Sequence, residues 1–357
     1  MSHPRPRRTG LLLAVAALAL ASCSLTAESD GPSAPATSGE AAGGPVVLVT
    51  HESFALPKKL IRAFEAATGY THEVRANGDA GTLTNKLVLT QGSPTGDVAF
   101  GVDNTFASRA LDADVFDPAD VALPPGAEAY ALPEGGDRLL PIDSGSVCVN
   151  IDTTWFRSHH VTPPATLADL TEPAYRDLFV TPGAPTSSPG MAFLLTTIAA
   201  EGDSWPDYWS ALMANGTRIT SGWSDAYFVD FTQGGGDGTR PIVLSYDSSP
   251  AFTVKNGRST TKALLDTCFQ QVEYAGVLAG AANPAGARAF LDFLLSPEVQ
   301  AALPESMYVF PVRDGVELPA DWARFAKRPT SPYSLDPAEV DAHRDEWLTT
   351  WQDVTTR

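Results

Sequence analysis

From Pro45 to Gly101 the chain alternates between strand and helix, and that rhythm limits the available folds more than any other feature. Pro45-Val46-Val47-Leu48-Val49-Thr50 is a short apolar run that reads as a buried strand. Pro57 to Thr68 follows as a helix, with Leu60, Ile61, Phe64 and Ala67 on one face and Gly69 suited to the left-handed position just past its end. Tyr70 to Arg75 is the next strand, Thr82 to Thr90 the next helix, and Gly96 to Gly101 a third strand. Strands joined by helices run parallel, because the helix is the crossover that returns the chain to the same edge. Ligand loops in such sheets lie at the carboxyl ends of the strands. His51, Asp79 and Asp103-Asn104 fall at those ends.

The later chain carries the same α/β grammar with two long excursions. Leu139 to Asp152 is apolar and reads as a crossing between lobes, and Gln270 to Leu278 reads as the strand that crosses back. With 357 residues and 43% hydrophobic content, the chain can bury a full core and divides into two lobes rather than one. Thr186-Ser187-Ser188-Pro189-Gly190 precedes an apolar helix, Met191 to Ala200. Those hydroxyls serve as N-caps, or the same helix end offers them, with its N–H groups, to a ligand's polar group. Between Ser221 and Phe252, Trp223 and Tyr246 sit at the loop ends of a helix–turn–strand unit. Such rings either plug a core edge or face a cleft and hold a flat ligand. Pro284 to Leu295 is an amphipathic helix, Pro304 to Val312 an irregular segment with Met307 and Tyr308, and Pro337 to Gln352 a closing helix with Trp347 and Trp351 packed in the core.

Before Cys23 the chain is a targeting segment. Arg5, Arg7 and Arg8 form a basic start and Leu11 to Leu20 an apolar stretch too short for an ordinary membrane span. Leu20-Ala21-Ser22-Cys23 resembles a bacterial lipobox, which implies that residues 1–22 are removed and that Cys23 carries the lipid. Residues 23–44, rich in Ser, Ala, Gly and Pro, then form a flexible tether on the outer face of the membrane. Outside the cytoplasm disulfides are stable. Cys148 and Cys268 are either bridged or two buried thiols.

Charge and motifs narrow the function classes. A formal charge of −18 makes nucleic acid and anionic lipid poor partners and suits a small cation. Asp143-Ser144-Gly145-Ser146 lacks the context of a serine nucleophile. His159-His160 has no carboxylate or cysteine at metal-ligand spacing. Gly234 to Gly238 lacks the lysine and following helix of a phosphate-binding loop. No enzyme, metal or cofactor is called for.

Gly222-Trp223-Ser224-Asp225-Ala226-Tyr227, Leu244-Ser245-Tyr246 with Ser249-Pro250-Ala251, Ser187-Ser188-Pro189-Gly190 and Val102-Asp103-Asn104 together resemble the substrate-binding components of bacterial thiamine ABC importers, within the two-lobed periplasmic binding proteins. The likeness runs from about Val46 to Trp351. It implies a type II-like α/β fold with the ligand cleft between lobes, a monomer, and delivery of thiamine or a phosphorylated thiamine to a membrane permease. The first lobe is expected at 45–146 and 274–308, the second at 147–273 and 309–357. By the resemblance, Asp79 is the acidic group of the site, Ser187 a polar contact, and Trp223, Tyr246 and Tyr308 the rings. His51 and Phe252 stand where that family usually has tyrosines, and no tryptophan follows Phe54 as it does there. The alternatives are a ferric-iron or polyamine receptor on the same fold, or a surface hydrolase; a ferric receptor would offer adjacent tyrosines, whereas Tyr246 is followed by Asp247.

Overall fold

Residues 43–356 are described by the computed structural model. The expected signal peptide, Cys23 and all but the last two residues of the tether lie outside the described residues.

The opening alternation builds the first lobe. Strand Pro45–Thr50 is buried along nearly its whole length. It pairs in parallel with Thr71–Ala76 on one side and Val98–Asp103 on the other, as a central strand covered on both faces must. Helix Lys58–Thr68 ends on Gly69 at φ 76°, a conformation that glycine adopts without strain. Its Phe64 packs edge-on against Phe290 of helix Pro284–Leu294, with ring centroids 5.3 Å apart. Val46, Leu48, Phe100 and Leu303 complete this core, and Val309 and Val312 also pack there, so it extends past residue 308.

Two strands carry the sheet from one lobe to the other. Leu140–Asp152 is buried throughout its 13 residues. Phe269–Leu278 runs antiparallel beside it, from the pair Phe269–Val147 to the pair Ala275–Leu140. On the first-lobe side Phe269–Leu278 pairs with Val98–Asp103. On the second-lobe side Leu140–Asp152 pairs with Ile242–Tyr246, which continues to Phe179–Pro182 and Arg218–Thr220. The result is one mixed sheet of 11 strands through both lobes.

In the second lobe helix Ser188–Glu201 packs on the strands of this sheet, helix Trp205–Ala214 packs on that helix, and helix Pro337–Thr355 packs on Trp205–Ala214 in turn. Trp209 and Trp351, both buried, meet edge to face at 5.4 Å, while Trp347 is only half-buried. Cys148 and Cys268 are bonded, with Cα atoms 4.2 Å apart, where the crossing strands enter this lobe. Arg344, buried on the last helix, donates to Thr105 O and Ser108 Oγ and lies over the Phe106 ring. The segment expected to be irregular from Pro304 is helical to Ser306. Gln300 anchors it, donating to Ile142 O (2.8 Å) and accepting from Val312 N–H (3.0 Å).

Candidate functional site

A cavity of about 270 Å³ lies between the lobes. His51, directly after strand Pro45–Thr50, and Asp79, the N-cap of helix Ala80–Leu89, line it from the first lobe. Trp223, Tyr246 and Phe252 line it from the second, and Tyr308 from the connection between helix Pro297–Ser306 and strand Phe310–Pro311. Of the seven residues singled out by sequence, only Ser187 is missing from the wall. Its Oγ faces Gly190 N–H (3.5 Å) as a helix cap and also bonds Asp79, while the next residue, Ser188, lines the cavity.

The rings form a connected aromatic wall. Trp223 stacks on Tyr227 at 5.0 Å and 23°, and meets Tyr246 edge-on at 6.2 Å. Its Nε1–H donates to Ser245 Oγ (2.9 Å), which fixes the indole's rotation. Phe252 and Tyr308 meet edge to face at 4.5 Å, and Tyr308 is backed by Trp322. Tyr308 adopts φ 59°, a left-handed backbone that is costly for a bulky residue and places its ring here. Tyr246 Oη accepts from Gln271 Nε2 (3.3 Å). Tyr227 Oη is buried and without a partner among the described residues.

Glu52, Asp79 and Glu273 share the cavity with these rings, and Glu273 belongs to a buried row of acids. Asp103, Glu273 and Asp143 stand directly opposite one another on three adjacent strands. Like charges in that position destabilise a sheet, and the structure answers with donors and protons. Asp103 accepts from Thr105 N–H (3.0 Å), Thr105 Oγ1 (2.8 Å) and Ser188 Oγ. Burial nevertheless pushes its pKa to about 6. Burial, with the Glu273 charge beside it, holds Asp143 well above the usual carboxylate range. His51 Nδ1 accepts from Ser53 N–H (3.1 Å) and its Nε2 lies 3.0 Å from Glu273 Oε1. Burial pulls the His51 pKa down, but Glu273, with Asp79 and Glu52 farther off, outweighs it and raises the value above the ordinary one. No lysine or arginine lines the cavity among the described residues.

The same acids join the lobes. Asp79 Oδ1 accepts from Ala80 N–H (2.6 Å) and Oδ2 from Trp223 N–H of the other lobe (2.8 Å). Burial raises the Asp79 pKa against these bonds. Ser188 Oγ reaches Asp103 from the start of helix Ser188–Glu201, and Thr82 N–H donates to Thr186 O (3.1 Å). A helix N-terminus is electropositive, so carboxyl groups are favoured partners for it.

Sequence reasoning missed Tyr227, Ser188 and Glu273. Tyr227 follows Trp223 by four residues on a short helical turn, a spacing that places side chains on one face. Glu273 is a lone acid inside an otherwise apolar strand, and buried charge is costly enough to mark a site. The hydrolase alternative finds no support at Ser144, whose Oγ is held by Arg328. Among the described residues no group of three or more His, Cys, Asp or Glu is arranged to hold a metal.

The chain matches the family model of bacterial extracellular solute-binding proteins over residues 59–330. It is 31% identical over 323 residues to the thiamine-binding periplasmic protein of Escherichia coli (strain K12), covering 88% of this chain and 94% of that one. The corresponding protein of Brucella melitensis biotype 1 is 29% identical over 290 residues, 79% of this chain and 82% of its own. Among solved structures, a periplasmic thiamin binding protein superposes with a TM-score of 0.77 at 30% identity, covering 88% and 96%. Iron-bound HitA from Pseudomonas aeruginosa superposes with 0.68 at 21% identity over 87% and 99%, a likeness of fold.

Proposed function

The chain belongs to the bacterial extracellular solute-binding proteins, and from that premise we propose that it captures thiamine in the cleft between its lobes and presents it to the permease of an ABC importer. Thiamine joins a permanent thiazolium cation to a flat aminopyrimidine. The observation that carries the reading is an aromatic wall sharing one cavity with the acids Glu52, Asp79 and Glu273. Rings over a cation contribute about 0.5–2 kcal/mol each, more where water is excluded, and stacking buries large apolar area besides.

In this reading Trp223, Tyr246, Tyr308 and Phe252 supply ring contacts, and Asp79 and Glu273 the negative field. Ser187 acts at one remove, through Asp79. Closure of the lobes on the ligand is a hinge-driven population shift, with the crossing strands Leu140–Asp152 and Phe269–Leu278 as the connection that bends. A thiamine phosphate would bring anionic oxygens against Glu52, Asp79 and Glu273, so free thiamine is the preferred vitamer. The protein works outside the cytoplasm as a monomer, held to the outer face of the membrane by a lipid on Cys23, with residues 23–44 as its tether.

Calorimetric titration with thiamine, its mono- and diphosphate, spermidine and ferric citrate tests this. Thiamine should bind tightest. Tight binding of ferric ion or spermidine without thiamine binding overturns the proposal, as does turnover of an ester substrate.

A further inference from the structure

The buried acidic row that meets the cavity at Glu273 is a feature that a thiamine receptor of aromatic rings alone would not need. Asp103, Glu273 and Asp143 are nearest neighbours on three strands, and all are buried. Of the three, Glu273 alone reaches the cavity, with its side chain 10% exposed. We propose that Glu273 is the carboxylate that meets the positive charge of the ligand, and that His51 and Asp143 are positioning residues that hold it there. This rests on the thiamine reading above and assigns its electrostatic partner.

The hydrogen-bond inventory supports the assignment. His51 Nδ1 receives Ser53 N–H, so the ring carries its proton on Nε2, the atom 3.0 Å from Glu273 Oε1. Asp143 stands directly opposite Glu273 on the neighbouring strand, and its Oδ2 is buried with no hydrogen-bond partner among the described residues. Glu273 is thus flanked by His51 on one side and Asp143 on the other, with its side chain still reaching the cavity. Asp79, the half-buried acid on the wall, has its oxygens engaged by Ala80 N–H and Trp223 N–H. Tyr227 lines the same cavity, and its buried hydroxyl has no partner among the described residues.

Calorimetry with thiamine and with thiochrome, its neutral fused-ring analogue, separates charge from stacking. Glu273→Gln should weaken thiamine binding at least about tenfold, the scale of a hydrogen bond to a charged group, with a much smaller loss for thiochrome. Its melting temperature should stay level or rise, because one member of a like-charged row is gone. His51→Asn serves as the positioning control. Acid adds charge to His51, which faces Glu273 on the crossing strand and Asp79 and Glu52 on the loops, with Asp143 and Asp103 beyond Glu273 on its neighbouring strands. Wild-type affinity for thiamine should therefore fall from about pH 8 to about pH 6, and His51→Asn should flatten that profile. Equal losses for both compounds in Glu273→Gln, or no loss, overturn this inference and leave the thiamine reading standing. A wild-type protein that binds neither compound overturns both.

Discussion

Replacing Asp79 by alanine separates two roles that a cavity carboxylate can play. If Asp79 mainly latches the lobes, its removal deletes the 2.8 Å bond from Trp223 N–H and frees the second lobe to swing away. A hydrogen bond to a charged acceptor is worth about 1.5–3 kcal/mol, and Asp79 is only half-buried, so the lower end applies. About 1.5 kcal/mol taken from the closed state corresponds to a loss of affinity of about tenfold for any ligand that needs closure. Loss of the N-cap on Ala80–Leu89 adds about 0.5–2 kcal/mol to the destabilisation of the fold, without regard to ligand. Calorimetry should therefore show thiamine and thiochrome weakened alike, and small-angle X-ray scattering a larger radius of gyration for the ligand-free variant. If thiamine lost far more than thiochrome, Asp79 would be the direct partner of the cation, and the latch argument would fail together with the assignment to Glu273.

Trp223→Ala should cost about 1–3 kcal/mol of thiamine binding with the fold intact, the range of aromatic hot spots; unchanged affinity would make the indole mere packing for Tyr227. The Cys148–Cys268 bond closes a separation of 120 residues, so the double serine variant should lose about 3–5 kcal/mol of stability in denaturant, and two reactive thiols in unfolded, unreduced protein would rule the bond out. Asp103 and Asp247 are pushed by burial to about 6 and about 7. Because the folded state then holds protons that the unfolded chain has released, stability should fall as pH rises from about 4 through those values. Melting temperatures that climb from pH 5 to pH 8, or an Asp247→Asn variant with an unchanged profile, would count against this.

The parts of this protein that could be read from sequence are those whose physics is local. The alternation from Pro45 to Gly101, the helix-ending Gly69 and the crossing runs near Leu140 and Phe269 declare themselves through periodicity and turn chemistry. Trp223 and Tyr246 stand out in the sequence as rings at loop ends, which either plug a core edge or face a cleft, and the resemblance decides for the cleft and adds Tyr308. What stayed hidden depends on pairing between distant strands. Nothing near Asp143 in the chain announces that Glu273 lies opposite it, 130 residues later, or that Asp103 flanks the pair. Ser187 and Ser188 are chemically identical neighbours, and only the direction in which the helix starts decides that Ser188 faces the cavity. Asp79 was recognisable as an acid at a strand end, but its bond to a backbone N–H of the other lobe exists only once the lobes have met.

The central claim is that the cavity between the lobes holds thiamine. Native mass spectrometry of protein purified gently from its own cells, followed by denaturation and identification of the released small molecule, addresses it most directly. The account predicts one thiamine per chain, lost in Glu273→Gln protein prepared in the same way. A polyamine, ferric ion or sugar phosphate in its place, or protein that stays empty even after equilibration with excess thiamine, would contradict it.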